Sequence, residues 1–519
     1  MFDVIVRNGT VLDGTGSPAY RADLGIAAGR IAAVERLAGA GAAVEIDATG
    51  RQVMPGFVDA HVHADAAAFE PATQLAALRQ GVTTVVLGQD GISYAPAGPA
   101  TLRFVSRYFA PVNGRHPGLD EGPVTVEDLL ATYDLRVPLN TVYLLPHGTI
   151  RYEVVGPERR AADDGELRAM LRLVENGLED GAAGLSSGLE YVPGAFADAA
   201  ELAALCRPVA AAGLPYVTHM RGYRQRAVAA MAEVLEIAAA ASVAAHVSHL
   251  HGPSAELIEI IDGARSAGTD LTFDLYPYLR GSSTLTLVTL PDWLPPHDLD
   301  RTLAALADPE VRARLDGEWS GGLWPRITLS HVPAGRWRWT EGLDLATAAL
   351  EAGLPPAELC CEILVDTGLE AGCVFAHPDP AGEEPLRELL RHPAHMGGSD
   401  GIYQGGHPHP RGRGAFARLL GRHVRELGDW SWERAAVHLA GRPAARFGLA
   451  DRGLLRPGLA ADVVVLDPAA VTDRATYQRP GELAEGVDHV LVNGVPVLRD
   501  GALTDACATE PPGRALSPR

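Results

Sequence analysis

The sequence predicts an α/β fold: a (β/α)8 barrel of the TIM type, with a small β-sandwich domain built from both chain termini. Three observations predict it. Strand-like and helix-like segments alternate through the middle of the 519-residue chain, eight strand candidates are found there, and both ends consist of short strands. A doubly wound open sheet is the alternative, but no Gly-x-Gly-x-x-Gly follows the early strands, which weakens it.

The two ends of the chain have the same β-rich character. Short strands separated by turns such as Asn8-Gly9 occupy residues 1–50, and strand, turn and strand recur over 461–467 and 489–497. One sheet made from both ends exposes fewer edge strands than two separate terminal hairpins, the alternative interpretation. We therefore expect residues 1–54 and 446–519 to form a single small domain.

The middle of the chain, residues 55–445, is expected to form the barrel. Helical patterns separate several of its strand candidates, which are 53–63, 82–88, 140–147, 182–188, 214–219, 243–249, 270–276 and 395–400. Residues 277–394 break this rhythm with proline-rich, irregular sequence. We expect an insertion there, and both a lid over the catalytic face and a plain solvated excursion remain open.

Composition limits the classes of partner. The net charge of −21 argues against nucleic acid and against anionic membranes, and no apolar run is long enough to span a bilayer. The N-terminus lacks the pattern of a signal peptide, and five cysteines without framework spacing indicate reduced thiols, so we expect a cytoplasmic protein. All 44 basic residues are arginine, so no lysine is available as a Schiff base or carbamylated metal ligand.

Imidazoles and carboxylates follow the predicted strands. His61 and His63 are one residue apart at the end of the first strand, so both point to the same face. His219 and His249 are 30 residues apart, which is one strand–helix unit and places them on neighbouring strands. The complete set at the predicted strand ends is His61, His63, Asp90, His147, Glu190, His219, His249, Asp274 and Asp400. Such donors at the mouth of a barrel suit zinc or a similar divalent ion.

Two of these residues have a strong structural alternative. Asp400, within Gly-Gly-Ser-Asp-Gly, would face the mouth of the barrel, but an aspartate there is also typical of a helix N-cap. His147, within Pro-His-Gly-Thr-Ile-Arg, fits site lining and structural hydrogen bonding equally well.

The motifs together resemble those of the amidohydrolase superfamily, and most closely its D-aminoacylase (N-acyl-D-amino-acid deacylase) branch. The similar segments are Pro55-Gly-Phe-Val-Asp-Ala-His-Val-His63, Thr218-His-Met-Arg221, Ser248-His-Leu-His251, Gly398-Ser-Asp-Gly401, Gly184-Leu-Ser-Ser-Gly-Leu-Glu-Tyr191, Phe273-Asp-Leu-Tyr-Pro-Tyr278 and His409-Pro-Arg411. The resemblance extends over nearly the whole chain, because residues 452–462 and 492–495 match the terminal β domain of the family.

The resemblance implies a zinc site for one or two ions and identifies Asp400 as the catalytic carboxylate. The implied zinc ligands are His61, His63, His219 and His249. One departure concerns the anionic ligand. The branch usually has Gly-Asn-Cys-Gly after the second strand, whereas this chain has Gly88-Gln-Asp-Gly91. Many relatives use a carbamylated lysine, which this chain lacks. Asp90 or Glu190 would then supply the anionic ligand. Glu190 follows the fourth strand, where relatives place the bridging group, so the resemblance makes it our first choice for a binuclear centre, and Asp90 the second.

A second departure concerns the substrate. The family holds the α-carboxylate of its substrate with a lysine, helped by a tyrosine, a serine and an arginine, and the matching positions here are His251, Tyr191, Ser283 and Arg411. Neutral histidine binds an anion more weakly than lysine does. Arg151 and Arg221 are candidates to compensate.

The resemblance implies a zinc-dependent hydrolase acting on the amide bond of an N-acyl-D-amino acid, with Asp400 as general base and acid and His147 or Tyr191 stabilising the oxyanion. A dipeptidase and a cyclic amide hydrolase of the hydantoinase or dihydropyrimidinase kind are alternatives on the same scaffold. A barrel that serves only as a binding scaffold is a further alternative. The sequence leaves open whether the chain forms a homo-oligomer.

Overall fold

The structure, a computed structural model, describes residues 1–119, 122–295, 298–333, 335–377 and 381–518. Part of the predicted insertion, residues 296–297, 334 and 378–380, lies outside the described residues. The strands in chain order are β1 Phe2–Val11, β2 Tyr20–Ala27, β3 Arg30–Glu35, β4 Ala42–Asp47, β5 Gln52–Pro55, β6 Phe57–Asp59, β7 Val62–His63, β8 Val82–Leu87, β9 Asn140–Tyr143, β10 Leu145–Pro146, β11 Leu185–Gly188, β12 Pro215–His219, β13 Ala244–Val247, β14 Leu271–Leu275, β15 Arg280–Thr284, β16 Ile327–His331, β17 Gly372–Ala376, β18 His395–Gly397, β19 Gly401–Ile402, β20 Val463–Leu466, β21 Val487–Val492, β22 Val495–Arg499 and β23 Ala502–Leu503.

The α-helices lie mainly between the central strands and in the insertion. They are α1 Pro71–Leu78, α2 Pro99–Tyr108, α3 Ala110–Asn113, α4 Val126–Tyr133, α5 His147–Val155, α6 Asp164–Glu179, α7 Ala199–Ala211, α8 Ala227–Ala241, α9 Ser254–Ser266, α10 Leu285–Thr289, α11 Leu299–Ala307, α12 Pro309–Glu318, α13 Leu345–Ala352, α14 Pro356–Asp366, α15 Glu384–Arg391, α16 Arg411–Arg418, α17 Trp432–Ala436, α18 Arg442–Arg446 and α19 Ala506–Thr509. Helix α6 begins with a capping box, in which the Asp163 and Glu166 side chains each accept from the backbone N–H of the other residue.

The two ends of the chain pair in one nine-stranded sheet. Its strand order is β23-β22-β21-β20-β5-β1-β2-β3, and β4 pairs in parallel with β1. The antiparallel pairing of β20 with β5 joins the C-terminal strands to the N-terminal ones. The predicted single strand over residues 53–63 is corrected here, because β5 belongs to this terminal sheet while β6 begins the central strands after Gly56.

The central strands are parallel and buried along their length. Strands β10-β11-β12-β13-β14-β18 form one ladder and β6-β8-β9 another. Strands β9 and β10 follow one another across Leu144, whose N–H donates to Leu87 O, and Ala60 N–H donates to Gly397 O beside β18. The carboxyl ends of these strands therefore meet, which brings residues far apart in sequence to one place.

The insertion has an apolar core of its own. An antiparallel sheet of order β15-β17-β16 packs with helices α10 to α14 around buried side chains such as Leu285, Leu329, Leu359 and Cys373. This core is separate from the main one, which fills the space around the central strands. Within the described residues, no helix combines the length and apolarity needed to cross a membrane.

Candidate active site

Two histidines leave the first central strand side by side. His61 and His63 follow β6 and are fully buried. Their side chains lie next to each other, with the two Nε2 atoms 3.4 Å apart. The Nδ1 atom of His63 is 3.0 Å from Asn113 Oδ1, which holds the ring with Nε2 toward its neighbour. The sequence offered no signal for Asn113, because it lies on the short helix α3, far from any strand end.

Asp90 lies in a sharp turn after β8. Gly88 and Asp90 have φ values of 73° and 55°. A Cβ on Gly88 would lie 2.2 Å from Leu144 O, so the turn requires glycine there. The turn directs the buried carboxylate of Asp90 into the centre of the site, where its Oδ1 has no hydrogen-bond partner among the described residues.

The carboxylate of Asp90 lies between two pairs of histidines. Oδ1 is 3.6 Å from His61 Nε2 and Oδ2 is 3.5 Å from His63 Nε2. Oδ2 is also 3.4 Å from His219 Nδ1 and 3.6 Å from His249 Nε2. Two groups of potential metal ligands result, His61–His63–Asp90 and Asp90–His219–His249, and within each the donor atoms lie within 4.8 Å of one another.

Glu190 has a more peripheral position than our first choice of bridging ligand requires. Its Oε2 is 3.0 Å from His219 Nε2, and its Oε1 accepts from Arg226 Nη2 at 2.5 Å. Glu190 is therefore next to one histidine pair, whereas Asp90 reaches both. On this geometry, Asp90 is a better candidate for the bridging ligand than Glu190.

Asp274 contacts three histidines through its two carboxylate oxygens. Its Oδ1 accepts from the backbone N–H of His249 at 2.8 Å, and its Oδ2 is 2.9 Å from His246 Nε2 and 3.4 Å from His61 Nδ1. Asp274 lies near the end of a predicted strand, and of observed β14, but the sequence does not reveal that it contacts two of the clustered histidines at once.

Asp400 faces the same cluster from the last central strand. Its Oδ1 is 3.4 Å from His63 Nε2, and its Oδ2 is 2.9 Å from Arg411 Nη1. Burial opposes its ionisation, but the positive charge of Arg411 and the hydrogen bond to His63 outweigh burial and lower the pKa of the carboxyl. Asp400 is therefore ionised at neutral pH.

The cluster attracts positive charge. Although burial disfavours protonated imidazole, the hydrogen bonds and negative charges of Asp90 and Asp400 raise the pKa of His63 to about 10. For His219, Asp90 and Glu190 likewise outweigh burial and raise the pKa to about 9. Imidazole nitrogens and carboxylate oxygens at this spacing, with an unpartnered Asp90 oxygen between them, fit a divalent ion such as zinc.

A cavity of about 450 Å³ opens onto the cluster. Four predicted substrate-binding residues line it: Tyr191, His251, Ser283 and Arg411. The hydroxyls of Tyr191 and Ser283 are 3.3 Å apart. Burial lowers the pKa of His251 to about 4, so this imidazole is neutral at pH 7. The Nε and Nη2 atoms of buried Arg411 have no hydrogen-bond partner among the described residues.

Three of the predicted catalytic and substrate-binding residues do not line this cavity. His147 begins helix α5 and its Nε2 is 2.8 Å from Glu201 Oε1, while Arg151, one turn later and fully buried, pairs with the same carboxylate. Arg221 is held by Glu233 and by two backbone carbonyls. The prediction that His147, Arg151 and Arg221 contact the substrate gains no support from these positions, because Glu201 and Glu233 engage them outside the cavity. Nδ1 of His147 and Nε of Arg151 are nevertheless buried without a hydrogen-bond partner among the described residues.

Sequence reasoning also missed three arginines and a histidine of the outer cavity. Arg224, Arg280, Arg326 and His377 line it together with apolar side chains of the insertion. Their sequence neighbourhoods contain no motif. Arg224 comes from the segment after β12, whereas the packing of the insertion brings the other three to this wall.

Comparison with known proteins gives a consistent result. A model described as the amidohydrolase family matches residues 44–498. The chain is 36% identical over 528 residues to a D-aminoacylase of Alcaligenes xylosoxydans xylosoxydans, covering 99% of this chain and 98% of that protein. It is also 36% identical over 528 residues to an N-acyl-D-glutamate deacylase of the same organism, covering 99% and 96% of the two chains.

A solved structure extends the similarity to three dimensions. It is the N-acyl-D-glutamate deacylase from Bordetella bronchiseptica, complexed with zinc and a phosphonate inhibitor that mimics the tetrahedral intermediate of the reaction. It superposes with a TM-score of 0.81 at 32% identity, covering 99% of each chain.

Proposed function

Because the chain belongs to the amidohydrolase family, we propose that it is a zinc-dependent enzyme that hydrolyses the amide bond of an N-acyl-D-amino acid. The observation that carries this proposal is the position of Asp90 between two buried pairs of histidines, with Asp400 beside them. A barrel that served only as a binding scaffold would have no need of a buried, unpartnered carboxylate oxygen among four imidazoles.

We assign the metal ligands on this geometry. His61 and His63 would hold one ion, His219 and His249 a second, and Asp90 would contribute to both. Glu190 would act as an outer partner of His219. A bound zinc ion supplies Lewis acidity, which polarises the amide carbonyl and makes water more acidic near neutral pH.

Asp400 would transfer the protons of the reaction, and Tyr191 would donate a hydrogen bond to the oxyanion. Asp400, ionised and held by Arg411, accepts the proton of the attacking water and returns it to the amide nitrogen, because an amine is a far better leaving group than an amide anion. Burial raises the pKa of Tyr191 well above its ordinary value, so its hydroxyl stays protonated and can donate to the developing oxyanion. Tyr191, which lines the cavity, replaces His147 in this role.

Arg411 favours an acyl amino acid over a cyclic amide. Two of its guanidinium nitrogens are buried and have no hydrogen-bond partner in the part of the chain that the structure describes, and a carboxylate next to the scissile bond would satisfy them. A hydantoin or dihydropyrimidine has no such carboxylate and would leave these donors unsatisfied. Ser283 and Tyr191 add hydroxyl donors in the same cavity.

We also infer the arrangement of the whole chain. The parallel strands and the bond from Ala60 N–H to Gly397 O support a closed (β/α)8 barrel over residues 55–445, with the insertion over about 277–394. Residues 1–54 and 446–519 would form the β-sandwich domain. The five cysteines are all buried free thiols, which supports a reducing compartment such as the cytoplasm.

The proposal is tested with zinc-loaded protein and racemic N-acetyl amino acids. Chiral chromatography of the products should detect the free D-amino acid, with the L-acyl compound left intact. Hydrolysis of hydantoin or dihydrouracil without release of any D-amino acid would contradict the proposal and favour the cyclic amide alternative.

A further inference from the structure

The outer end of the cavity is formed by one end of the insertion sheet. In the ladder between β15 and β17, Arg280 is paired with Ala376. Arg326 immediately precedes β16, and its Nε donates to the carbonyl of Ala376 from the other side at 3.1 Å. Because neighbouring strands are about 4.8 Å apart, the backbones of the two arginines lie roughly 10 Å from each other. The two arginines therefore flank the end of one strand, and both line the cavity.

These two arginines have no counter-charge in the described part of the chain. The carboxylates that line the cavity, Asp90, Glu190 and Asp400, all belong to the metal cluster. Among the described residues, no carboxylate forms an ion pair with Arg280 or Arg326. The guanidinium of Arg280 instead lies over the ring of Tyr477, 4.3 Å from its centroid.

Neighbouring groups add to the positive charge. Arg224 lines the same cavity, and both Arg224 and Arg326 act on His377. Burial and these two positive charges lower the pKa of His377 to about 4, so the imidazole is neutral at pH 7. In a chain with a net charge of −21, a cavity wall with this excess of positive charge is a local exception.

The same region offers apolar surface for a short carbon chain. Leu287 and Val288, on the helix that follows β15, line the cavity with Phe375, which is next to Ala376. Apolar walls combined with guanidinium groups suit an aliphatic segment that ends in an anion.

We propose that Arg280 and Arg326 bind a second anionic group of the substrate, in addition to the carboxylate beside the scissile bond that Arg411 would hold. The preferred substrate is then an N-acyl-D-amino acid with a further carboxylate. That carboxylate belongs either to the amino-acid side chain or to the acyl group. This inference rests on the proposed function, because it assumes that the first carboxylate and the amide lie at the metal cluster.

The test compares substrates that differ in charge but hardly in size. The kcat/KM of the zinc-loaded enzyme is measured for N-acetyl-D-glutamate against N-acetyl-D-glutamine, and for N-succinyl-D-leucine against N-butanoyl-D-leucine. We expect the charged member of one pair to be preferred by about tenfold or more, the size expected for a charged hydrogen bond. The first pair reports a side-chain carboxylate and the second an acyl carboxylate. No preference for charge in either pair overturns the inference.

Variants identify the residues responsible. Arg280→Met and Arg326→Met keep an unbranched chain and remove the charge, and each should reduce the charged-to-neutral preference by about tenfold. A ratio within one protein does not depend on the fraction that is folded. Arg499→Met, at the exposed end of β22, is the matched control and should leave the ratio as in the wild type. A preference that survives in both cavity variants overturns the assignment.

A binding measurement separates this inference from the proposed function. If the enzyme hydrolyses no N-acyl-D-amino acid, the proposed function fails, and calorimetric titration of the zinc-loaded protein with N-acetyl-D-glutamate and N-acetyl-D-glutamine still tests the anion site. Binding of the glutamate compound that is about tenfold tighter in wild type, and not in Arg326→Met, supports the site. Equal affinities overturn it. Hydrolysis of neutral substrates without a charge preference leaves the proposed function intact and overturns only this inference.

Discussion

The two ends of the active-site cavity are built in different ways. The inner end consists of buried residues at the ends of parallel strands, where Asp90 and Asp400 are surrounded by imidazoles. The outer end consists of partly exposed arginines on an antiparallel sheet of the insertion, which has its own apolar core. The inner end concentrates carboxylates and imidazoles, and the outer end concentrates arginines.

This difference suggests that the inner end of the cavity carries out the reaction and the outer end recognises the substrate. Groups on rigid, buried strands can be held within a fraction of an ångström, which bond cleavage requires. Groups on an inserted sheet can be exchanged without disturbing the metal cluster, so the insertion is the part of the chain where substrate preference can change. The following predictions test that division.

Asp400→Asn should have the largest effect and should act on the reaction alone. We expect turnover to fall by about 10²–10⁴-fold because the proton acceptor is lost. The zinc content should stay close to wild type, because Asp90 and the four histidines remain. Kinetics combined with metal analysis checks this. A parallel loss of zinc would move Asp400 into the metal site and out of the general-base role.

Arg151→Met should affect stability and spare the reaction. Arg151 and Glu201 form a buried ion pair, and removing one partner of such a pair costs about 3–5 kcal/mol. Urea unfolding should show this loss, while the kcat/KM of the folded fraction changes by less than about threefold. A large rise in KM with normal stability would instead indicate that Arg151 binds the substrate.

Asp90→Asn and Glu190→Gln should separate the two candidate bridging residues. Asp90 contacts both histidine pairs, so its loss should weaken zinc binding by roughly 10–100-fold or more, whereas Glu190→Gln should weaken it by less than about threefold. Competition with a chelator measures both. The opposite order would restore Glu190 as the bridging ligand.

His251→Lys should have the smallest effect, and a beneficial one. It places a positive charge where the cavity now has a neutral imidazole, so the KM of N-acetyl-D-amino acids should fall by about tenfold. His251→Gln, which adds no charge, is the control. An unchanged KM in the lysine variant would mean that the substrate carboxylate lies elsewhere.

Much of the inner site could be predicted from the sequence because strand periodicity determines it. The alternation of His61 and His63, and the single strand–helix unit between His219 and His249, place four imidazoles at one edge of parallel strands. Asp90 could be named as a candidate ligand, but its advantage over Glu190 could not be predicted, because it depends on a left-handed turn at residues 88–90 whose direction is set by packing against Leu144.

The sequence was less informative where the role of a side chain depends on contacts with residues that are distant in sequence. His147 follows a strand, as expected of a site residue, but Glu201 from a later helix binds it away from the cavity. Arg280 and Arg326 are 46 positions apart in sequence and meet only through the register of the insertion sheet. Such pairings between distant antiparallel strands leave no periodic pattern in the sequence.

We propose that four histidines and Asp90 hold zinc at the inner end of the cavity. Zinc analysis of the purified protein after zinc-supplemented expression and extensive dialysis tests this most directly. We expect about one to two zinc ions per chain, and a marked loss in Asp90→Asn. A zinc content below roughly 0.1 per chain in the wild type would contradict it.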